Sequence, residues 1–123
     1  MTYSRLISAT LMIGIGAFAT SATADTGEQI FGTRCQVCHS ITPDKKHGPI
    51  APNLRGVVGR KAASTSFRNY SPALSKSQLV WTQATLAKFL AAPGKTVPGT
   101  GMAVSVPSAA DRDALIAYLA TLK

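Results

Sequence analysis

A chain of 123 residues with a formal charge of +8 and only five acidic residues has the length of one small domain, and so few carboxylates leave little for acid–base catalysis. The basic excess calls for an acidic counterpart: nucleic acid, anionic lipid or an acidic protein face. Beyond Arg5, however, the Lys and Arg residues are scattered from Arg34 to Lys123, with only Lys45-Lys46 and Arg60-Lys61 adjacent. No Arg-rich helix or aromatic stacking motif is present, which argues against nucleic acid.

The N-terminal segment has the pattern of an export signal. Arg5 supplies a positive start, Leu6–Ala19 forms a 14-residue apolar stretch, and Ala22-Thr23-Ala24 gives the A-x-A pattern of a cleavage site. The stretch falls short of the roughly 20 residues that span a bilayer, so cleavage after Ala24 is favoured over a retained anchor. The expected periplasmic product is residues 25–123, with a formal charge of +7 because only Arg5 is lost. A domain of this size buries a modest core and gains from a metal, disulfide or cofactor.

A first helix is predicted from Thr26 to Val37, opened by a Thr26/Gln29 capping box. Residues 39–69 carry Pro43, Gly48, Pro49, Pro52, Gly56 and Gly59 and are predicted to be mostly loop. A short helical turn starts at Ser71-Pro72. Thr82 caps a helix to Ala92, ended by Pro93-Gly94, with Leu86, Phe89 and Leu90 at helical spacing. Residues 93–107 are expected as loop. Ser108 and Asp111 cap a last helix with Leu115, Ile116, Leu119 and Leu122 on one side. No strand alternation is present. The class is all-α, with long loops that need something to pack on.

The only two cysteines lie in C-Q-V-C-H at 35–39, the spacing of a c-type haem attachment site. Two thiols one helical turn apart can add to two vinyl groups of one porphyrin edge, and the following His39 can send its imidazole to the iron. A thioredoxin-like motif needs a βαβ context, and a zinc site needs a second ligand pair; neither is present. An exported disulfide is the remaining alternative. A low-spin carrier needs a second axial ligand, and methionine sulfur favours Fe(II). Met1 and Met12 fall in the leader, which leaves Met102, in the Pro/Gly-rich loop V-P-G-T-G-M. His47, eight residues from His39, is the rival and fits better as a loop surface residue.

Over residues 26–123 the chain resembles the class I cytochromes c. The resemblance rests on G-E-Q-I-F at 27–31, C-Q-V-C-H, P-N-L-x-G-V-V-G-R at 52–60, Y-S-P-A-L at 70–74, W-T at 81–82, P-G-T-G-M at 98–102 and L-I-A-Y-L at 115–119, in family order. It implies that the N- and C-terminal helices cross and that long loops wrap one covalently bound haem c. It implies that the Pro52 carbonyl accepts the Nδ1 proton of His39, and that Arg60, Tyr70 and Trp81 stand near the haem propionates. Three departures stand out. Extra residues precede Asn53 in H-G-P-I-A-P-N-L, so that Gly48-Pro49 could instead hold part of the loop. Phe89 stands where many relatives have a Tyr that touches the Met sulfur. Gly101 replaces a common Lys before the ligand Met.

These readings imply a monomeric periplasmic single-electron carrier, not an enzyme, with Cys35, Cys38, His39, Pro52, Arg60, Tyr70, Trp81 and Met102 around the haem and His39 and Met102 on the iron. The expected partners are acidic-faced redox proteins: a dehydrogenase, a cytochrome complex or an oxidase. Contact with a membrane would run only through them, unless the leader is retained. The alternatives are a dedicated haem subunit of one dehydrogenase and, further off, a haem peroxidase or gas-binding protein.

Overall fold

The computed structural model describes residues 23–123, together with Gly16 and Ala19. The expected leader, residues 1–24, therefore lies almost wholly outside the described residues. Among the described residues there are five α-helical elements in chain order: α1 (Gly27–Ile30), α2 (Pro72–Lys76), α3 (Gln83–Ala91), α4 (Pro93–Thr96) and α5 (Ala109–Thr121). Helix α1 continues into a π-helical segment, Phe31–Cys35. Among the described residues there is no strand, only an isolated antiparallel bridge between Lys61 and Val80.

The helix starts follow from local side-chain chemistry. Thr26 Oγ1 accepts from the Gln29 N–H, while Gln29 Oε1 accepts from the Thr26 N–H, completing the capping box. Ser71, Thr82 and Ser108 each accept a backbone N–H three residues on. At Ser108 the bond from Asp111 N–H is the forward half of a capping box. Two element ends differ from the sequence expectation. The first helix stops at Cys35 rather than Val37, and its last stretch is wound i→i+5, with Gln36 N–H bonded to Phe31 O at 3.0 Å. Pro93-Gly94 ends α3 but also opens α4, because a proline that cannot continue one helix fits the first turn of the next. The stretch 93–107 is therefore not all loop.

Helices α1 and α5 cross at Gly27. A Cβ there would lie 2.1 Å from the Ala114 carbonyl oxygen and 2.5 Å from Tyr118 Cβ, so only a residue without a side chain permits the approach. One turn on, the Phe31 and Tyr118 rings meet at 6.4 Å between centroids. Ile30, Leu115, Ile116 and Leu119 close the seam, with Leu86, Phe89 and Leu90 of α3 and Val106 beyond them. Val106 N–H bonds to Leu90 O at 2.7 Å, which lays the approach to α5 along α3.

The long 39–69 loop is organised around Asn53, the one buried polar side chain among the described residues. Its Nδ2 lies within reach of Lys46 O (2.9 Å), Thr42 O (3.1 Å) and Ser40 Oγ (3.2 Å), and its Oδ1 accepts from Arg55 N–H at 2.8 Å. A loop with no secondary structure must satisfy its backbone groups some other way, and one amide does much of that here.

Two outcomes are expected. Replacing Gly27 by Val drives a side chain into the α5 backbone and should cost about 1–3 kcal/mol in urea unfolding; an unchanged midpoint would contradict the crossing. Asn53→Ala strands the Arg55 N–H and two carbonyls and should cost about 2–3 kcal/mol by the same measurement.

Candidate functional site

Cys35, Cys38 and His39 leave the first helix together. The Cys38 and His39 N–H groups both bond to Cys35 O, at 3.0 and 2.8 Å, so a turn carries the chain from one cysteine to the histidine. Cys35 is buried and Cys38 half-buried, and both are free thiols. Burial pushes the Cys35 thiol up to about 11, with Arg34 opposing and Cys38 adding to the rise, so it stays protonated and sits in an apolar setting.

His39 Nδ1 lies 2.8 Å from Pro52 O. A carbonyl only accepts, so Nδ1 carries the proton and Nε2 of the neutral ring keeps its lone pair. Burial lowers the His39 pKa, the Pro52 bond works against that, and the Arg60 charge lowers it further. The net direction favours a neutral imidazole with Nε2 available as a donor to a metal.

The loop that presents Pro52 is held against the cysteine turn. Ala51 N–H bonds to Cys38 O at 3.2 Å, and Gly48 N–H to Ala51 O at 2.9 Å. A Cβ at Gly48 would fall 2.0 Å from Cys38 O. The residues before Asn53 thus form a tight turn on the C-Q-V-C-H backbone, and Pro52 rather than Pro49 reaches His39.

His47 is more than a loop surface residue. Its Nδ1 accepts the Asn53 N–H at 3.1 Å, which puts the proton on Nε2, 3.0 Å from Ser66 Oγ. With both ring nitrogens engaged, it serves the loop. Its ring meets Phe67 edge-on at 5.4 Å, and Phe67 meets Tyr70 at 5.2 Å. The sequence reading missed Asn53 as a buried anchor; its only trace there is the P-N-L segment, which reads equally well as a turn.

Met102 is half-buried against the core. A turn over Val97–Thr100 precedes it, with Thr100 N–H bonded to Val97 O at 3.0 Å and Gly99 at φ 90°. Thr100 Oγ1 then accepts the Met102 N–H at 3.3 Å.

Arg60 and Trp81 are brought side by side by backbone pairing. Trp81 N–H bonds to Arg60 O, and Gly59 N–H to Trp81 O, both at 2.8 Å. The half-buried Arg60 guanidinium donates from Nη2 to Asn53 O at 3.1 Å and from Nη1 to Arg55 O at 3.2 Å. Burial lowers its pKa, and Tyr70 works the other way. Trp81 is buried with its ring 5.0 Å from that of Phe89. Tyr70 Oη is hydrogen-bonded to Thr65 Oγ1.

Two free thiols beside an imidazole of fixed tautomer, with a thioether on a separate loop, form a donor set that fits a covalently held porphyrin iron. Among the described residues no cluster of His, Cys, Asp and Glu suits a bare metal ion.

The family model for cytochrome c matches residues 24–123. A cytochrome c2 from Rhodoblastus acidophilus is 42% identical over 100 residues, 80% of this chain and 92% of that protein. A cytochrome c2 from Rhodomicrobium vannielii is 40% identical over 117 residues, 94% of this chain and 91% of the relative. Among solved structures, cytochrome cH from Methylobacterium extorquens superposes with a TM-score of 0.70 at 42% identity, covering 77% of this chain and 94% of that one. The chain belongs to the cytochrome c family, as an all-α electron-transfer protein, not an enzyme, that takes up haem c covalently through its cysteines.

Proposed function

We propose that this chain is a periplasmic, monomeric single-electron carrier that works between a dehydrogenase or respiratory complex and a terminal acceptor such as an oxidase. In this reading Cys35 and Cys38 would form the thioethers, and His39 and Met102 would ligate the iron. Arg60, Tyr70 and Trp81 receive the propionates. The observation that carries the reading is the His39 Nδ1 bond to Pro52 O at 2.8 Å, because it leaves Nε2 as a ready donor beside two thiols. The engagement of both His47 nitrogens favours Met102 as the second ligand.

When bound, a haem supplies a one-electron Fe(II)/Fe(III) couple. The remaining work falls to the polypeptide. The Pro52 carbonyl keeps His39 in one tautomer and one orientation. The Met102 thioether favours the reduced state. The apolar core around Ile30, Leu86, Leu90 and Val106 keeps water out. A carboxylate taken from water needs a cation or donors, which a guanidinium, a phenol and an indole N–H provide.

Export supports the periplasmic assignment: the segment before Asp25 has the charge, apolar stretch and A-x-A pattern of a cleaved signal. Among the described residues no helix is long and apolar enough to cross a membrane. The net positive charge suits acidic-faced redox partners.

Met102→Ala should still carry haem that resists acid–acetone extraction, but lose the low-spin spectrum and the weak far-red sulfur-to-iron band of the oxidised form; an unchanged spectrum would remove Met102 from the iron. The rate of electron transfer to an acidic partner should fall as ionic strength rises from about 0.01 to 1 M, over which the Debye length shrinks from about 30 to 3 Å. A rate indifferent to salt would rule out docking by charge.

A further inference from the structure

One peptide unit joins the chain's two histidines. The Pro52 carbonyl accepts the His39 Nδ1 proton at 2.8 Å. At the other end of the same peptide, the Asn53 N–H donates to His47 Nδ1 at 3.1 Å. No cis peptide occurs among the described residues, so this C=O and N–H point in opposite directions and each meets one imidazole. Among the described residues neither group makes another hydrogen bond. The line runs one bond further. Because His47 Nδ1 accepts, its proton is on Nε2, which donates to Ser66 Oγ at 3.0 Å. The half-buried His47 ring is backed by Phe67, edge-on at 5.4 Å.

These three bonds run head to tail, from His39 through the peptide and His47 to Ser66. Bonds linked in this way polarise one another. Amide resonance carries the effect across the peptide: an acceptor on the N–H places more negative charge on the carbonyl oxygen. A more negative oxygen draws harder on the His39 Nδ1 proton, and the ring becomes richer in electrons at Nε2. A contact that only anchored the loop would fix where Pro52 lies; this one also acts on what the carbonyl can do.

We infer that His47 is a positioning residue for electron transfer: through the Pro52–Asn53 peptide it sets the donor strength of His39, and with it the reduction potential, and Ser66 completes the relay. The inference rests on the reading of His39 as an iron ligand. An electron-richer Nε2 favours Fe(III), so the relay pulls the potential down, against the Met102 thioether, which favours Fe(II).

The test uses the full haem-loaded protein at fixed pH and ionic strength. His47→Leu removes the acceptor and keeps an apolar group against Phe67. At one applied potential the ratio of reduced to oxidised protein should rise about threefold, the size expected from weakening one linked hydrogen bond by a modest fraction. The His39 Nδ1 proton resonance of the reduced protein should move upfield, as for a weaker hydrogen bond. His47→Asn, whose Oδ1 stands where Nδ1 does, should restore most of both. The sign separates the relay from simple loosening, because a loop that let in water would favour the more highly charged oxidised form and lower the ratio. A fall or no change in His47→Leu, or no recovery in His47→Asn, would overturn the inference. Should His47→Leu not take up haem, Ser66→Val decides instead. It lies at an exposed position, removes the Nε2 acceptor and blocks water from replacing it; the ratio should rise about 1.5-fold, and an unmoved or lowered ratio would overturn the relay. In the unsubstituted reduced protein the His39 ring protons should be shifted strongly upfield by the ring they face. Their absence would overturn His39 ligation and the relay together, whereas their presence with an unmoved potential in the variants would overturn the relay alone.

Discussion

One proton, held on His39 Nδ1 by the Pro52 carbonyl at 2.8 Å, sets a demand on the rest of the structure. An imidazole serves as an iron ligand only when one nitrogen is unprotonated and aimed, and this bond decides both. The acceptor lies 13 residues away on a loop with no secondary structure of its own. That loop must therefore be fixed to within a few tenths of an ångström by contacts other than helix or strand bonds.

The fixing is done in two layers. Backbone bonds seat the 48–51 turn on the cysteine turn through Cys38 O, and the missing side chain at Gly48 lets the two backbones touch. Behind them, Asn53 draws in the carbonyls of Thr42 and Lys46, and Arg60 draws in those of Asn53 and Arg55. Arg60 thus has a structural task in addition to any part it takes in receiving a carboxylate. A buried amide and a half-buried guanidinium replace the hydrogen-bond ladder that a loop lacks.

Sequence reasoning reached those parts of the structure that are governed by short range. Thr26, Ser71, Thr82 and Ser108 could be placed as caps because a hydroxyl three residues before a free N–H is a local pattern. The cysteines and His39 could be placed because their chemistry is written in five consecutive residues. What escaped was of two kinds. Pro93 read as a stop, and the same ring geometry also makes it a start. Asn53 and His47 gave no local sign that their partners lie six to nineteen residues away. The expectation that Pro52 faces His39 came from family resemblance, since nothing in the composition of P-N-L alone singles out that carbonyl.

The π-wound stretch between Phe31 and Cys35 has a bearing on what the chain can tolerate. Each residue of an α-helix advances about 100° around the axis, and an i→i+5 turn accommodates one residue more than an i→i+4 turn. Phase along the first helix is therefore divided at this point. Upstream, the angle of Gly27 and Phe31 is dictated by the crossing with α5; downstream, Cys35 is set in the core and Cys38 in the turn that leads to His39. Losing a single residue here would leave a regular helix still able to cross α5, while swinging both thiols about 100° off their bearing. The irregular turn acts as a rotational spacer, letting the interhelix contact and the cofactor attachment be satisfied by one helix and the turn that follows it.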